Sequence, residues 1–372
     1  MQAMRSAVVL LGFLGVAFAS VPAADVPELI PVPAGRYDIG SRNTSGYAGG
    51  TGDAPGVHSY YDLSAYRIGK TEISNAEFCA VLNWGLQQKR LQLGQAGVLH
   101  GDKVLLDMRS SWCRIQPDPE GRLLVRGEYG RHPVTEVTWH GAMAYCALLN
   151  EREKLPQAVD LQKWTVRLDQ QGYRLPTEVE WEVAAMGGKA MTRGKKGPES
   201  GLLEYTRPEA RNLHAGSKTI PTGTTLCGSL PATGFGTHDM VGNVWEWCAD
   251  QYVSLESLYY GIAIANWDTN GSREPLNWTF KKIPVPKDPV YDSTHMSKLL
   301  DAGNRGKAPL NAEHRIYRGG AWTMGTGLSN PERSLYRRGD RPELSTNDLG
   351  FRVARSGEFG ADRKASPPNP KP

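Results

Sequence analysis

The sequence predicts an α+β fold that is loop-rich, with short strands and a few helices. Three observations carry this. The chain of 372 residues holds 42 Gly, 25 Pro and 10 Trp, which favours many turns with special backbone angles and large aromatics that supply buried area, and disfavours a helical bundle. Alternating apolar and polar residues occur only in short runs. Each helical signal is brief, and two of the three open on a capping residue.

Taken in order, ELIPVPAGRYDIGS (28–41) alternates and ends in Gly, which predicts a strand running into a turn. A Gly-rich loop follows, and then a second strand-like run over Tyr60–Ile68. Next comes a helix for which Ser74 is placed as N-cap and Glu77 completes a capping box, with Phe78, Val81 and Leu82 at helical spacing. HPVTEVTWHGAMAYCALLNEREK (132–154) predicts a short strand, a turn, and a helix from about Gly141 to Glu151. YRLPTEVEWEVAAMGG (173–188) is the clearest local signal. Pro176 stops a strand, Thr177 caps, Glu180 returns the bond to the cap amide, and Gly187-Gly188 closes the helix. Residues 250–312 form a long segment of weak periodicity, expected to be a functional or mobile insertion. The tail 356–372 has almost nothing apolar and is expected to be disordered.

Composition narrows function as well. With 40% hydrophobic and 22% charged residues the chain is of globular type. A net charge of +4, from 43 basic and 39 acidic residues spread along the chain, gives no reason to expect a nucleic-acid partner. The N-terminus carries Arg5, an apolar run from Ala7 to Ala19, and Ala17-Phe18-Ala19, which predicts a secretory signal over 1–19 and hence export to the periplasm or beyond. No other stretch is long enough to span a membrane. Cys79, Cys113, Cys146, Cys227 and Cys248 are odd in number and form no CxxC, and the eight His form neither HExxH nor an HxH pair, so a zinc site is not expected.

Seven segments, PAGRYDIGS, KTEISNAEFCAVLN, HPVTEVTWHGAMAYC, YRLPTEVEWE, GFGTHDMVGNVWEWCAD, RIYRGGAW and NDLGFRVAR, follow one another in an order that resembles the family of the formylglycine-generating enzyme, or sulfatase-modifying factor. The resemblance extends over about Val32 to Arg355, within a domain drawn at 28–355, and implies a loop-rich variant of the C-type lectin fold. It also implies calcium at the GNVWEW motif, with Asp239 and Glu246 as side-chain ligands and Gly242 and Val244 as backbone ones. At the family's other calcium site, Asn212 and Leu213 match but no acidic residue follows, so that site is not expected.

The resemblance further implies that two cysteines after the GG dipeptide bind copper(I). This sequence has Met324 and Ser329 there, a neutral thioether and a hydroxyl in place of soft anionic sulfur, so copper is not expected. Cys146 matches a family position that can form a disulfide, but its partner position is Val353. Gly319-Gly320 implies a tight turn, and Trp322, Arg337 and Arg352 belong to the framework of the family's surface groove. For Arg318 and Arg352 a structural role is expected. Arg333, Arg337, Arg338 and Arg341 stand equally as structural forks or as groove contacts to an anion or peptide. Glu332, Asp340, Glu343 and His314 are the acid–base candidates nearest the motif, and no catalytic residue is assigned.

The function so implied is that of an exported, noncanonical member, a binding or cell-envelope scaffold protein whose partner is a protein, peptide or small molecule. The alternative is a periplasmic tailoring oxidoreductase resembling those that act on pyoverdine. A true formylglycine-generating oxidase is disfavoured by Met324 and Ser329. The pocket beneath Trp322 distinguishes these, because an enzyme needs converging polar groups there and a binder needs shape and aromatic surface.

Overall fold

The computed structural model describes residues 26–39, 59–187, 223–251, 290–291, 314–323 and 337–357. The expected signal at 1–19, nearly all of the 250–312 segment, the tail beyond 357, Asn212, Leu213, Met324, Ser329, Glu332 and Arg333 lie outside the described residues. The fold is α+β, as the sequence predicts: among the described residues there are three α-helices and many short strands, mostly antiparallel.

Helix α1, Asn75–Gln87, starts at Ser74. The Ser74 side chain accepts from the amide of Glu77, and Glu77 Oε2 accepts from the amide of Ser74 at 2.8 Å. Its buried face holds Phe78, Val81, Leu82 and Gly85, the i, i+3, i+4, i+7 pattern of a helix with one face on the core. Helix α2, Trp139–Arg152, begins two residues before the predicted start, since Thr138 caps it by accepting from the Gly141 amide at 3.0 Å. Every residue from Trp139 to Asn150 is buried, so α2 is the central strut of the core. Helix α3, Glu178–Met186, has the reciprocal Thr177–Glu180 cap and ends on Gly187 in the left-handed region at φ 71°.

The short strand predicted ahead of α2 is not formed. Two isolated bridges, Ser74 with Pro133 and Leu106 with Val137, take its place. The cause lies at Glu136, whose φ of 60° turns the chain out of extended geometry.

One four-stranded sheet runs Leu29–Val32, Tyr66–Gly69, Ala354–Ser356, Tyr173–Arg174. It joins both ends of the domain in antiparallel register. A second runs Arg337–Asp340, Arg315–Arg318, Trp245–Gln251, Leu349–Phe351. There the pairing of Trp245–Gln251 with Leu349–Phe351 is parallel. The GNVWEW and LGFR motifs therefore lie side by side. The larger core cluster gathers around α1 and α2, with Phe78 stacked on Tyr145 at 5.6 Å and set edge-on to Phe351. A smaller cluster around Trp181 packs α3 on Ile68, Met240 and Ile316. Buried Trp side chains each place their N–H: Trp139 Nε1 donates to the Cys248 carbonyl, Trp247 Nε1 to the Val137 carbonyl and Trp181 Nε1 to Glu246. Among the described residues no helix is long and apolar enough to cross a membrane.

Candidate functional site

The RGGAW turn is fixed first by its glycines. Gly319 and Gly320 have φ of 101° and 75°. A Cβ on Gly319 would stand 3.1 Å from the Trp181 ring, so a larger residue would be both strained and crowded. The turn is then clamped to the GNV segment, since the Gly242 amide donates to the Gly319 carbonyl at 2.9 Å and the Trp322 amide to the Asn243 carbonyl at 3.0 Å. Trp322 Nε1 donates to the carbonyl of Asn347 at 3.1 Å. The indole is thereby held almost fully buried, with Trp112 against it at a ring separation of 5.4 Å.

Trp112 also lines a cavity of about 500 Å³, within the usual range for small-molecule sites. Its walls include Trp112, Arg114, Tyr129, His132, Thr224 and Asn347. The Arg114 guanidinium lies over the Tyr129 ring at 4.0 Å and near Trp112 at 5.6 Å. The His132 ring stacks obliquely on Tyr129 at 4.9 Å, and its Nδ1 is 2.9 Å from Thr224 Oγ1. Burial is the main cause that lowers the His132 pKa, and the nearby Arg114 charge adds to it, against the Thr224 hydrogen bond that raises it.

The walls are tied to the framework by two buried amides. Asn75 Nδ2, at the start of α1, donates to the carbonyls of Tyr129, His132 and Pro133 at 3.0, 3.1 and 3.2 Å. Asn243, in the left-handed region at φ 56°, accepts from the Thr225 amide at 2.9 Å and donates to Glu72 Oε1 at 3.0 Å. A third tether runs from buried Glu136, whose Oε1 accepts from Ser110 Oγ at 2.6 Å, while Ser110 Oγ accepts from the Trp112 amide at 3.2 Å.

Of the expected groove residues, Trp322 backs this cavity. Arg338 covers the Trp245 ring at 5.1 Å, the Arg341 amide donates to Asp340 Oδ1 at 2.7 Å, and neither lines the cavity. Arg337 lies on its strand, with its side chain outside the described residues, as is the whole of Arg333. Asp340, Glu343 and His314 do not line the cavity. Arg318 and Arg352 are structural, as expected. Arg318 is wholly buried and bridges Glu178 and Glu182 of α3 at 2.9 and 2.7 Å. Arg352 grips Glu246 and also donates to the carbonyls of Gly69 and His238.

The residues named for calcium cluster in the interior. Asp239, at φ 59°, accepts from the amides of Gly228 and Leu230. Glu246 accepts from Arg352 and from Trp181 Nε1. Glu72 lies beside them, fully buried, and its Oε2 has no hydrogen-bond partner in the structure. Burial, with the Asp239 and Glu246 carboxylates, pushes the Glu72 pKa well up. Thus the carboxylates of Glu72, Asp239 and Glu246 face a single guanidinium, that of Arg352. Carboxylate oxygens are of the kind calcium takes, but both oxygens of Asp239 and both of Glu246 are already engaged by amides, Trp181 and Arg352. As placed, no group of three or more His, Cys, Asp and Glu side chains stands at metal-holding spacing among the described residues.

All five cysteines fall within the described residues, and none is bridged. Cys79 on α1 and Cys146 on α2 are both buried as thiols. Burial raises every thiol, to about 12 for Cys79 and about 11 for Cys113, and it raises Cys146, Cys227 and Cys248 as well.

Comparison with known proteins places this geometry. The family model described as "Sulfatase-modifying factor enzyme 1-like domain" matches residues 17–357. The formylglycine-generating enzyme of Mycobacterium tuberculosis is 33% identical over 251 residues, which is 60% of this chain and 74% of that one. The serine/threonine-protein kinase pkn1 of Chlamydia pneumoniae is 29% identical over 252 residues, 68% of this chain, and the match spans only 28% of the length of that kinase. Among solved structures, PvdO from Pseudomonas aeruginosa has 20% identity and a TM-score of 0.49, with 90% of this chain and 95% of that one covered. The match runs through the GNVWEW, RGGAW and LGFR segments that clamp one another around Trp322, and the chain belongs to the sulfatase-modifying factor family, that of the formylglycine-generating enzyme.

Proposed function

We propose that this protein is an exported member of the family that works by binding at the cavity beside Trp112 and Trp322, as a binding or cell-envelope scaffold protein, and that it does not oxidise sulfatase cysteines through copper. The observation that carries this reading is the fate of its sulfur. The positions where the resemblance places copper-binding cysteines are Met324 and Ser329. The five cysteines present lie elsewhere, four of them in the core, with thiols pushed above their ordinary pKa. Copper(I) prefers thiolate, and one neutral thioether beside a hydroxyl does not replace a pair of anionic sulfurs. Export rests on the apolar Ala7–Ala19 run and the Ala17-Phe18-Ala19 cleavage pattern.

A calcium ion belongs to the same proposal. Asp239 and Glu246 would hold it by carboxylate oxygens, and Gly242 and Val244 by carbonyl oxygens. It would balance the negative charge around Glu72 and brace the segment that clamps the RGGAW turn.

The second reading, a tailoring oxidoreductase of the same family, is favoured by one feature: His132, Thr224 and Arg114 bring polar groups together in the cavity. Oxygen uptake separates the readings. The purified protein is incubated with a peptide bearing a sulfatase-type cysteine motif, with and without copper(I). No oxygen uptake and an unchanged cysteine are expected. Formylglycine in the peptide, seen by mass spectrometry with matching oxygen uptake, would sink the binding reading.

A further inference from the structure

We propose that the cavity bounded by Trp112, Arg114, Tyr129 and His132 binds a small ligand that carries a carboxylate on a planar aromatic ring, with Arg114 as the carboxylate anchor. This rests on the reading of the cavity as a binding site and gives that site a ligand class.

Arg114 is the starting point. Its guanidinium carbon lies over the Tyr129 ring at 4.0 Å, so the ring face supports it, and among the described residues no carboxylate forms an ion pair with it. A guanidinium held by a ring face keeps its in-plane N–H edge for a partner, and a planar carboxylate matches that edge with two parallel bonds. The acidic group on the cavity wall, Glu128, is on an exposed residue, whereas Arg114 and His132 are partly buried. The inner part of the site is thus positive in character and calls for an anion.

The rest of the ligand follows from the walls. Trp112 faces the cavity, backed by Trp322 with the two rings tilted by 38°, and Tyr129 and the His132 ring continue the aromatic lining. Flat rings gain most from such walls, by offset or edge-on contacts. A volume of about 500 Å³ admits a one- or two-ring molecule and excludes a folded partner. Polar groups at the margin, Thr224 and Asn347, leave room for a ring substituent that hydrogen-bonds.

The test uses the full chain, with 1-naphthoate as probe and 1-naphthalenemethanol, the uncharged molecule of the same ring, as its control. Binding is followed by calorimetry and by tryptophan fluorescence. Saturable one-to-one binding of naphthoate is expected, at least about tenfold tighter than the alcohol, a difference of about 1.4 kcal/mol. Arg114→Gln should bring naphthoate to the level of the alcohol while leaving the alcohol unchanged, and Trp112→Ala should weaken both. In the complex the His132 ring, whose charged neighbours on the cavity wall are Arg114 and Glu128, should titrate at higher pH, since the bound anion favours imidazolium. If Arg114→Gln does not fold by its thermal transition, Arg114→Lys serves in its place, because it keeps the charge and loses the planar pair of hydrogen bonds to the carboxylate, and a fall in naphthoate affinity is again expected. Equal affinity for acid and alcohol, insensitivity to both Arg114 variants, or no saturable binding at millimolar probe would each overturn the proposal. None of these outcomes bears on oxygen uptake with the cysteine peptide, so the ligand class and the loss of copper chemistry stand or fall separately.

Discussion

Arg352 grips Glu246 with two parallel hydrogen bonds, Nε to Oε2 at 2.5 Å and Nη2 to Oε1 at 2.6 Å, and neither side chain is exposed to solvent. The pair joins the LGFR strand to the GNVWEW strand, 106 residues apart in sequence. Removing one partner leaves the other charge buried and alone, which costs far more than the net worth of the pair. Glu246→Gln should therefore lower stability by about 3–5 kcal/mol. Denaturant unfolding would show it, and a loss below about 1 kcal/mol would mean that water reaches Arg352.

Asn243 makes a more selective prediction, since its side chain joins the Thr225 amide to Glu72 and its φ is positive. Glycine accepts that backbone conformation freely, so Asn243→Gly removes the two hydrogen bonds without adding strain. A loss of about 1–3 kcal/mol is expected from the buried groups left unpaired. Binding of 1-naphthoate should weaken with it, because Thr224, next to the freed Thr225, lines the cavity. Unaltered binding and stability would remove Asn243 from any positioning role.

Gly141 tests the packing of α2. A Cβ there would stand 2.0 Å from the Leu105 carbonyl oxygen, a backbone atom that cannot swing aside. Gly141→Ala should destabilise by about 1–3 kcal/mol or more, despite the better helix propensity of alanine. An unchanged urea midpoint would show that the strand at Lys103–Asp107 can retreat.

His140 sets a pH dependence. It is buried against Trp164 with its Nδ1 unpartnered in the structure. Burial first, then the Lys103 and Arg315 charges, lower its pKa to about 4. The unfolded chain titrates this group at about 6.5. Between those values the unfolded state takes up a proton that the folded state refuses, so stability falls as pH drops from about 6.5 to about 4 and then levels. In His140→Phe that part of the slope should vanish. Equal slopes for the two proteins, measured by urea midpoints across pH 4–7, would assign the dependence to other groups.

Calcium should raise the thermal midpoint if it occupies the Asp239–Glu246 locus, by an amount that grows with concentration. At one hundred times the dissociation constant the gain is about 2.7 kcal/mol. Chelator should reverse it, and Asp239→Ala should abolish the response. A midpoint indifferent to millimolar calcium would leave the negative charge around Glu72 to be met by protonation.

The helices were legible in the sequence because their determinants are local. Ser74 with Glu77 and Thr177 with Glu180 lie three residues apart, and a capping box needs nothing from the rest of the chain. The motif order carried the family, and Arg318 and Arg352 take the structural roles expected of them as forks to carboxylates. What the sequence missed was assembled at long range. The short strand expected ahead of α2 failed at Glu136, where the backbone turns left-handed to meet the carbonyl of Thr346 and Ser110. A pocket is expected beneath Trp322, but its lining could not be named, because its walls come from residues 112–135, 223–224 and 347, which share no period or spacing. Arg114 reads as any surface cation until Tyr129 is found beneath it, and Asn243 reads as one letter of a motif until its amide is seen between Thr225 and Glu72. Caps, turns and motif order are properties of neighbouring residues, so the chain alone determined the elements and the family. A pocket and a charge balance are sums over groups distant in sequence, and only the tertiary structure decided which of them would meet.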